Sequence, residues 1–182
     1  MGRTGADPDH APAAVRGPGP PRPGVKLLLA AVGRAKPGPE RALYDHYAAR
    51  LKPPLSLVEV EEKRPLPTAE RQAREADLLL AQVPGGAVVV ALDERGRPQT
   101  STGLAAQLDA WRLDARPACA FLIGGADGHG EAVRARADIL LALGPMTWPH
   151  MLVRALIAEQ LYRAQCISTG HPYHRGISKT GT

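Results

Sequence analysis

The C-terminal segment HPYHR, residues 171–175, brings together two histidines, a tyrosine and an arginine. Histidine exchanges protons near neutral pH, so this segment could take part in proton transfer. The spacing of His171 and His174 would also suit zinc, but zinc needs more ligands and Cys166 is the only thiol nearby. We therefore predict no metal site. The alternative is a solvated polar tail, although such a tail seldom needs all four of these side chains.

A glycine-rich segment, LIGGADGHG, holds four glycines between residues 122 and 130, after an apolar run. Glycines let a backbone approach a ligand or turn sharply, and both interpretations stay open here. The spacing is neither the dinucleotide-binding pattern GxGxxG nor that of a phosphate-binding P-loop. Asp93 and Glu94 follow another apolar run, but adjacent residues point to opposite sides of an extended chain. We interpret them as a polar turn, because a paired-acid site is unlikely to arise from neighbours.

The segment TWPH, residues 147–150, directly precedes the longest apolar helical pattern of the chain. Pro149 is a good start signal for that helix, which does not explain the residues around it. The helix has two stripes that could be buried. One is the ordinary core face: Leu152, Val153, Leu156, Ile157, Leu161 and Ala164. The other is flatter: Ala155, Ala158, Tyr162 and Cys166. We predict that the second stripe forms a homodimer interface, the alternative being central packing within one subunit.

Strand and helix patterns alternate along most of the chain. Residues 1–24 hold six prolines and five glycines without apolar periodicity, so we predict that they are disordered. The predicted strands are 25–33, 55–62, 86–93, 118–125 and 139–143; the predicted helices are 39–51, 68–83, 101–114, 129–138 and a last one from Pro149. This alternation predicts an α/β domain, a mostly parallel sheet with helices on both faces. Ligands of such sheets bind at the carboxyl ends of the strands, in the loops ALDERG, LIGGADGHG and ALGPMTWPH.

Composition excludes several classes of protein. The 182 residues are 44% hydrophobic and carry a net charge of +5, enough for one domain with a core. Cys119 and Cys166 lie in apolar patterns, which indicates buried thiols in a reducing compartment. No apolar run is long enough to span a bilayer and the N-terminus lacks a secretory signal pattern, so we predict a cytoplasmic protein without membrane contact. Positive charge is concentrated after residue 150, which permits an acidic partner.

Several segments together resemble one family. VKLLLAAVGRAKPGPE, VVVALDERGR, LIGGADG, LGPMTWPHMLVRALIAEQLYRA and HPYHR are similar to the RlmH family of SPOUT-class methyltransferases. The resemblance covers about residues 25–175, which we treat as one SPOUT methyltransferase domain, with 176–182 as a flexible tail. It implies a C-terminal deep trefoil knot, a homodimer and S-adenosylmethionine as cofactor. It also implies methylation of N3 of a pseudouridine in 23S ribosomal RNA, on the assembled ribosome.

The resemblance also assigns residues to roles. Those implied in cofactor binding are Leu92, Gly125, Gly144, Pro145, Met146, Thr147, Trp148 and Pro149. Those implied in catalysis are His171, His174 and Arg175, because the N3 proton must leave and the resulting charge needs a cation. Those implied in RNA binding are Arg154, Tyr173 and Arg175. Two motifs depart from the common family form: GGADG replaces GGPEG, which shortens an acid at Asp127, and MTWPH replaces LTLPH.

Two other functions are compatible with these residues. One is a SPOUT methyltransferase for transfer RNA, and the other is a catalytically silent ribosome-binding or assembly protein with the same fold. Cofactor binding separates the silent protein from both enzymes. Methyl transfer to ribosomes rather than to transfer RNA separates the two enzymes.

Overall fold

The computed structural model describes residues 25–173, so the predictions for 1–24 and for 174–182 lie outside the described residues. Five strands and five helices alternate along this range. The strands are β1 (Lys26–Val32), β2 (Leu55–Val60), β3 (Val88–Pro98), β4 (Ala118–Ile123) and β5 (Ile139–Ala142). The helices are α1 (Pro39–Ala48), α2 (Thr68–Leu80), α3 (Ser101–Leu113), α4 (Glu131–Arg136) and α5 (His150–Ser168).

All five strands are parallel, in the order β2-β1-β4-β3-β5. Every residue of β4 is buried, as expected for a central strand that is covered on both faces. Helices α1, α3 and α5 pack together on one face of the sheet, whereas α2 and α4 pack on the other. The predicted α/β class, with a parallel sheet between two layers of helices, is confirmed. The knot stays a prediction.

Strand β3 runs further than its apolar pattern predicts. Its pairing with β5 shifts register, so that Leu92 and Arg97 both lie opposite Leu141. The four residues 93–96 between them bulge out of the ladder and return. A β-bulge of this kind re-aims side chains, and here it carries Asp93, Glu94 and Arg95 to the carboxyl edge of the sheet.

Helix α5 lies between α1 and α3 and packs against both. Ala155, Ala158 and Cys166 of the second stripe are therefore buried within one subunit. Our reason for assigning this stripe to a dimer interface was wrong, because three of its four side chains are already buried within one subunit and only Tyr162 is half-buried. Small side chains there let two helices approach closely, which serves an intramolecular contact as well as an intermolecular one.

The two cysteines are buried free thiols, as predicted, with Cys119 fully enclosed by the sheet. Burial raises the pKa of the Cys119 thiol well above its ordinary range. Between residues 25 and 173, no helix is long and apolar enough to cross a membrane. The same range contains no group of three or more His, Cys, Asp or Glu side chains that could hold a metal ion.

Gly96 is needed where the β3 bulge meets β5. A Cβ atom at this position would lie 2.6 Å from the Leu140 carbonyl carbon and oxygen, which are backbone atoms that cannot move aside. Gly96→Ala should therefore lower the free energy of unfolding by about 1–3 kcal/mol, measured by urea denaturation. Gly85→Ala is the matched control, because a Cβ there meets nothing within 4 Å. Equal stability of the two variants would contradict the close approach.

Candidate active site

Three loops at the carboxyl edge of the sheet enclose a cleft of about 440 Å³. One is the bulge within β3 and the other two follow β4 and β5, and all three lie in the segments that the strand pattern indicates. The first turn of α5 closes one side with His150 and Val153. A cavity of this volume is in the range of small-molecule and cofactor sites.

The structure brings most of the predicted cofactor residues together. Six of them line the cleft: Leu92, Gly125, Gly144, Met146, Thr147 and Trp148. Pro145 and Pro149 do not line it, and Pro149 is the N-cap residue of α5. The binding role of all eight stays a prediction, but their positions agree with a single pocket.

Apolar side chains form much of the cleft wall. Ile123 and Leu141 are buried at the ends of β4 and β5, whereas Met146 and Trp148 are 71% and 39% exposed. Exposed apolar side chains beside a cleft usually mark a binding surface. A flat ring could lie against these walls while backbone groups of the loops bind its polar atoms.

The glycine-rich loop is both a tight turn and a cleft wall. Its Gly128 N–H donates to the Gly125 carbonyl at 3.0 Å, and Gly128 has a φ of +77°, which favours glycine. A Cβ on Gly124 would lie 2.8 Å from the Gly128 carbonyl carbon. The tight turn is confirmed, and the role in ligand binding stays a prediction.

Helix α2 holds this loop in place. Arg71 forms an ion pair with the Asp127 carboxylate, and the Gln72 Nε2 donates to the Asp127 carbonyl at 2.6 Å. Glu75, on the same face of the helix, lies so close that a Cβ on Gly125 would be 2.7 Å from its Oε2. Asp127 of the GGADG motif thus joins the glycine-rich loop to α2.

Asp93 is a buried acid of the bulge, and the sequence interpretation as a polar turn missed its role. Its Oδ2 accepts from the Arg134 Nε at 2.8 Å, and its Oδ1 accepts from the Arg95 backbone N–H at 2.9 Å. Burial by itself raises the pKa of Asp93, but these two hydrogen bonds outweigh burial and lower it. The carboxylate is therefore a fixed negative charge beside the cleft.

His129 is another cleft residue that sequence reasoning did not select. It is only 2% exposed, and its Nε2 lies 3.2 Å from the Leu122 carbonyl oxygen. Burial lowers the pKa of the imidazole, which is consequently neutral at pH 7. A histidine in a run of glycines and acids gives no sequence signal for burial, since its role here depends on the neighbouring strand.

The described part of the C-terminal cluster folds back along α5. Gly170, with φ of +68°, ends the helix in a Schellman motif, in which the His171 N–H donates to the Cys166 carbonyl at 2.9 Å. The Tyr173 hydroxyl then donates to the Glu159 Oε1 at 3.1 Å. None of these residues lines the cleft. His174 and Arg175 lie outside the described residues.

Tyr173 packs its ring on side chains of α5. The Tyr162 ring is 4.9 Å from it, and the Arg163 guanidinium lies 4.9 Å from its centroid. In this arrangement its ring is engaged within the subunit, so its predicted stacking on an RNA base would require these contacts to open. Its role in RNA binding stays a prediction.

Arg154 does not fit the predicted role in RNA binding. The residue is 2% exposed, and its guanidinium donates to Glu59 and to the carbonyls of Val32 and Gly33. A guanidinium enclosed in this way cannot reach a surface phosphate without losing three hydrogen bonds. We correct the expectation: Arg154 joins α5 to the sheet.

The fold and the cleft define an α/β protein with a cleft at the carboxyl edge of a parallel sheet. A family model described as "Predicted SPOUT methyltransferase" matches residues 25–174. A relative from Rhodospirillum rubrum, "Ribosomal RNA large subunit methyltransferase H", is 72% identical over 151 residues, covering 83% of this chain and 99% of its own. The chain belongs to the RlmH family of SPOUT methyltransferases.

Other relatives agree. Proteins of the same name from Paramagnetospirillum magneticum and Rhodospirillum centenum are 63% and 58% identical, each over 83% of this chain and 99% of their own. A distant solved structure is the SpoU methyltransferase AviRb from Streptomyces viridochromogenes in complex with AdoMet. It is 18% identical, with a TM-score of 0.43, over 81% of this chain and 61% of that chain. That likeness is too weak to bear on function.

Two acids around the cleft should respond to pH in opposite ways. The pKa of Asp93 lies below its ordinary value of 3.8, so its stabilisation is complete above that value and is lost as the pH falls through the lower pKa. Asp93→Asn should therefore cost about 1.5–3 kcal/mol of unfolding free energy at pH 7, and less toward pH 2.

Glu75 provides the contrasting variant. Burial raises its pKa above 4.5, so its charged form costs stability at pH 7. Glu75→Gln should increase the unfolding free energy at pH 7, and the gain should vanish below the ordinary pKa. Urea titrations from pH 7 to pH 2.5 measure both variants. If both variants changed the unfolding free energy at pH 7 in the same direction, either the lowered pKa of Asp93 or the raised pKa of Glu75 would be contradicted.

Proposed function

We propose that the protein is an S-adenosylmethionine-dependent methyltransferase of ribosomal RNA. Its substrate is N3 of a pseudouridine in 23S ribosomal RNA, on the assembled ribosome. The observation that carries this proposal is that residues from three separate loops, assigned to the methyl donor by resemblance, line one cleft. Nearly full-length relatives named as large-subunit ribosomal RNA methyltransferases support the choice of substrate.

The cleft residues fit S-adenosylmethionine. Trp148, Met146 and Leu92 offer apolar surface for an adenine ring, and the glycine-rich loop and Gly144 offer backbone groups for its polar ends. The walls also carry the acids Asp93, Glu94 and Asp127, which suit a ligand with cationic groups. When bound, this cofactor supplies an electrophilic methyl group on a sulfonium ion.

The protein must do the remaining chemistry. The N3 proton has to leave so that the ring nitrogen has a lone pair, and negative charge then gathers on the flanking carbonyl oxygens. A histidine of the C-terminal cluster, His171 or His174, accepts the proton directly or through water. Arg175 stabilises the developing charge or binds a phosphate, because its guanidinium is a permanent cation.

We further propose that the protein acts as a homodimer in the cytoplasm, where ribosomes work. Support comes from the apolar side chains at the start of α5: Met146 and Trp148 are exposed, and Leu152 and Leu156 are only half-buried. A second subunit could cover them and add RNA contacts near the cleft. Light scattering should give twice the chain mass of 19.3 kDa. An active monomer would refute the dimer.

The direct test of the function is methyl transfer from tritiated S-adenosylmethionine to ribosomes of a strain that lacks the family's enzyme. We expect label in the large-subunit RNA, at a single pseudouridine, and none in transfer RNA. Label in transfer RNA alone would support the other enzymatic function. Cofactor binding without label in any RNA would support a silent ribosome-binding protein.

Truncation tests the C-terminal cluster. Ending the chain after Gly170 removes both histidines and Arg175, so methyl transfer should be abolished. The cleft lies elsewhere on the subunit, so cofactor affinity should stay within about threefold, under 1 kcal/mol. Truncation after Arg175 is the control and should keep activity. Equal loss of affinity and activity would mean that the cluster builds the cofactor site, and full activity would mean that it is a solvated tail.

Gly125→Val tests the glycine-rich loop. A side chain there would meet the Glu75 carboxylate and force the loop away from α2, which should raise the dissociation constant for S-adenosylmethionine at least tenfold, about 1.4 kcal/mol. Adding Glu75→Ala makes room and should restore part of the affinity, measured by calorimetry. Unchanged affinity in a folded Gly125→Val variant would remove this loop from the cofactor site.

A further inference from the structure

A second pocket, of about 300 Å³, lies beside the first turn of α5. It is formed by the loop from β1 to α1, by α1 itself and by Met151 and Arg154 of α5. His150 and Val153, the residues directly before these two, line the cofactor cleft. Neighbouring faces of one helix therefore contribute to the two openings.

The wall of this second pocket is strongly basic. Four of its side chains are cationic, Arg34, Lys36, Arg41 and Arg154, whereas Glu40 is its one acid. Arg41 and Arg154 are paired with Asp45 and Glu59, outside the lining.

The two cations of the β1–α1 loop, Arg34 and Lys36, have a weak ion pair or none. The Arg34 side chain is 72% exposed, and its ion pair with Glu61 is long, with 4.0 Å between the charged atoms. Lys36 makes no ion pair among residues 25–173. These two side chains can turn toward an anion at little cost, since their present contacts are weak or absent.

Two buried polar atoms in the lining residues have no partner. Among the described residues, only three buried side-chain polar atoms lack a hydrogen bond, and two belong to this pocket: the Tyr44 hydroxyl and the Arg154 Nε. Their residues are 4% and 2% exposed. Burying such groups unpaired is costly, but both atoms are enclosed by the protein and lie behind the pocket surface, so the cations that a ligand can contact are the exposed Arg34 and Lys36.

Both atoms are donors. Burial raises the pKa of Tyr44 to about 12, so its hydroxyl keeps its proton at pH 7, and a guanidinium Nε–H can only donate. The start of α1 adds more donors, because its N-cap residue Gly38 provides no side-chain cap for the first backbone N–H groups. A ligand that binds the exposed cations of the pocket and the first backbone N–H groups of α1 must be rich in acceptors and negatively charged.

We propose that the second pocket binds a phosphodiester of the RNA substrate, close to the nucleotide that enters the cofactor cleft. This proposal rests on the proposed function. Adjacent residues of α5 line the two sites, so one RNA strand can reach both. The pocket thereby fixes the position of the RNA strand without reading its sequence.

A charge-removal experiment tests the site. The double variant Arg34→Gln/Lys36→Gln removes the two exposed cations of the β1–α1 loop. The control Lys26→Gln/Arg116→Gln removes the same two residue types from exposed positions at the opposite, amino-terminal edge of the sheet. Affinity for purified ribosomes is measured by co-sedimentation from 50 to 200 mM KCl at constant Mg²⁺, and affinity for S-adenosylmethionine by calorimetry.

We expect the pocket variant to bind ribosomes at least tenfold more weakly than the control. The slope of log affinity against log salt should fall by roughly 1.4–1.8, the value for two lost phosphate contacts. Cofactor affinity should stay within twofold. A salt slope equal to that of the control overturns the proposal, and so does a parallel loss of cofactor affinity. If the wild-type protein itself neither binds ribosomes nor methylates their RNA, the proposed function fails instead.

Competition by an acidic peptide, without competition by single-stranded RNA, would assign the pocket to a protein partner and would also overturn the proposal.

Discussion

The buried guanidinium of Arg154 fixes the position on which both pockets depend. Its Nη1 donates to Glu59 of β2 at 2.5 Å, and its Nη2 donates to the Val32 and Gly33 carbonyls at the end of β1. The same Glu59 oxygen accepts the Ala35 backbone N–H at 2.8 Å. One side chain thus ties α5, two strands and the following loop together. Loss of one partner of such a buried pair typically costs about 3–5 kcal/mol, because the remaining charge is left uncompensated.

This attachment explains why one helix can serve two sites. Arg154 holds the start of α5 against β1 and β2, and the neighbouring positions 150 and 153 line the cleft together with the β3 bulge and the loops after β4 and β5. Pro149 is the N-cap residue of α5, and the small residues Ala155 and Ala158 are fully buried within the subunit. A shift of the helix would open the cofactor cleft and the second pocket together.

The strands and helices were predictable because the period of apolar residues along the sequence indicates which side chains are buried. The position of the cleft loops was predictable because the carboxyl ends of parallel strands lie at one edge of the sheet. Other features depend on partners that are distant in sequence. Arg154 has the residue type of a surface cation, and the sequence does not show that it pairs with Glu59, which is 95 residues away. Asp93 has the sequence context of a turn residue, and the sequence does not show that it pairs with Arg134 in the cleft wall. The second stripe of α5 would fit a helix of the same chain or of a second copy equally well, because small side chains do not specify which of the two helices packs against them.

Charge divides the two pockets in a way that agrees with what each is proposed to bind. Three carboxylates and two guanidiniums line the cofactor cleft, and Glu75 lies just behind its glycine-rich loop. Four cations and one acid line the second pocket. A sulfonium cofactor is favoured by a site with an excess of acids, and RNA by one with an excess of bases. His150 and Val153 of α5 line the cleft, and Met151 and Arg154 line the second pocket, so one helix contributes to an acidic site and to a basic one.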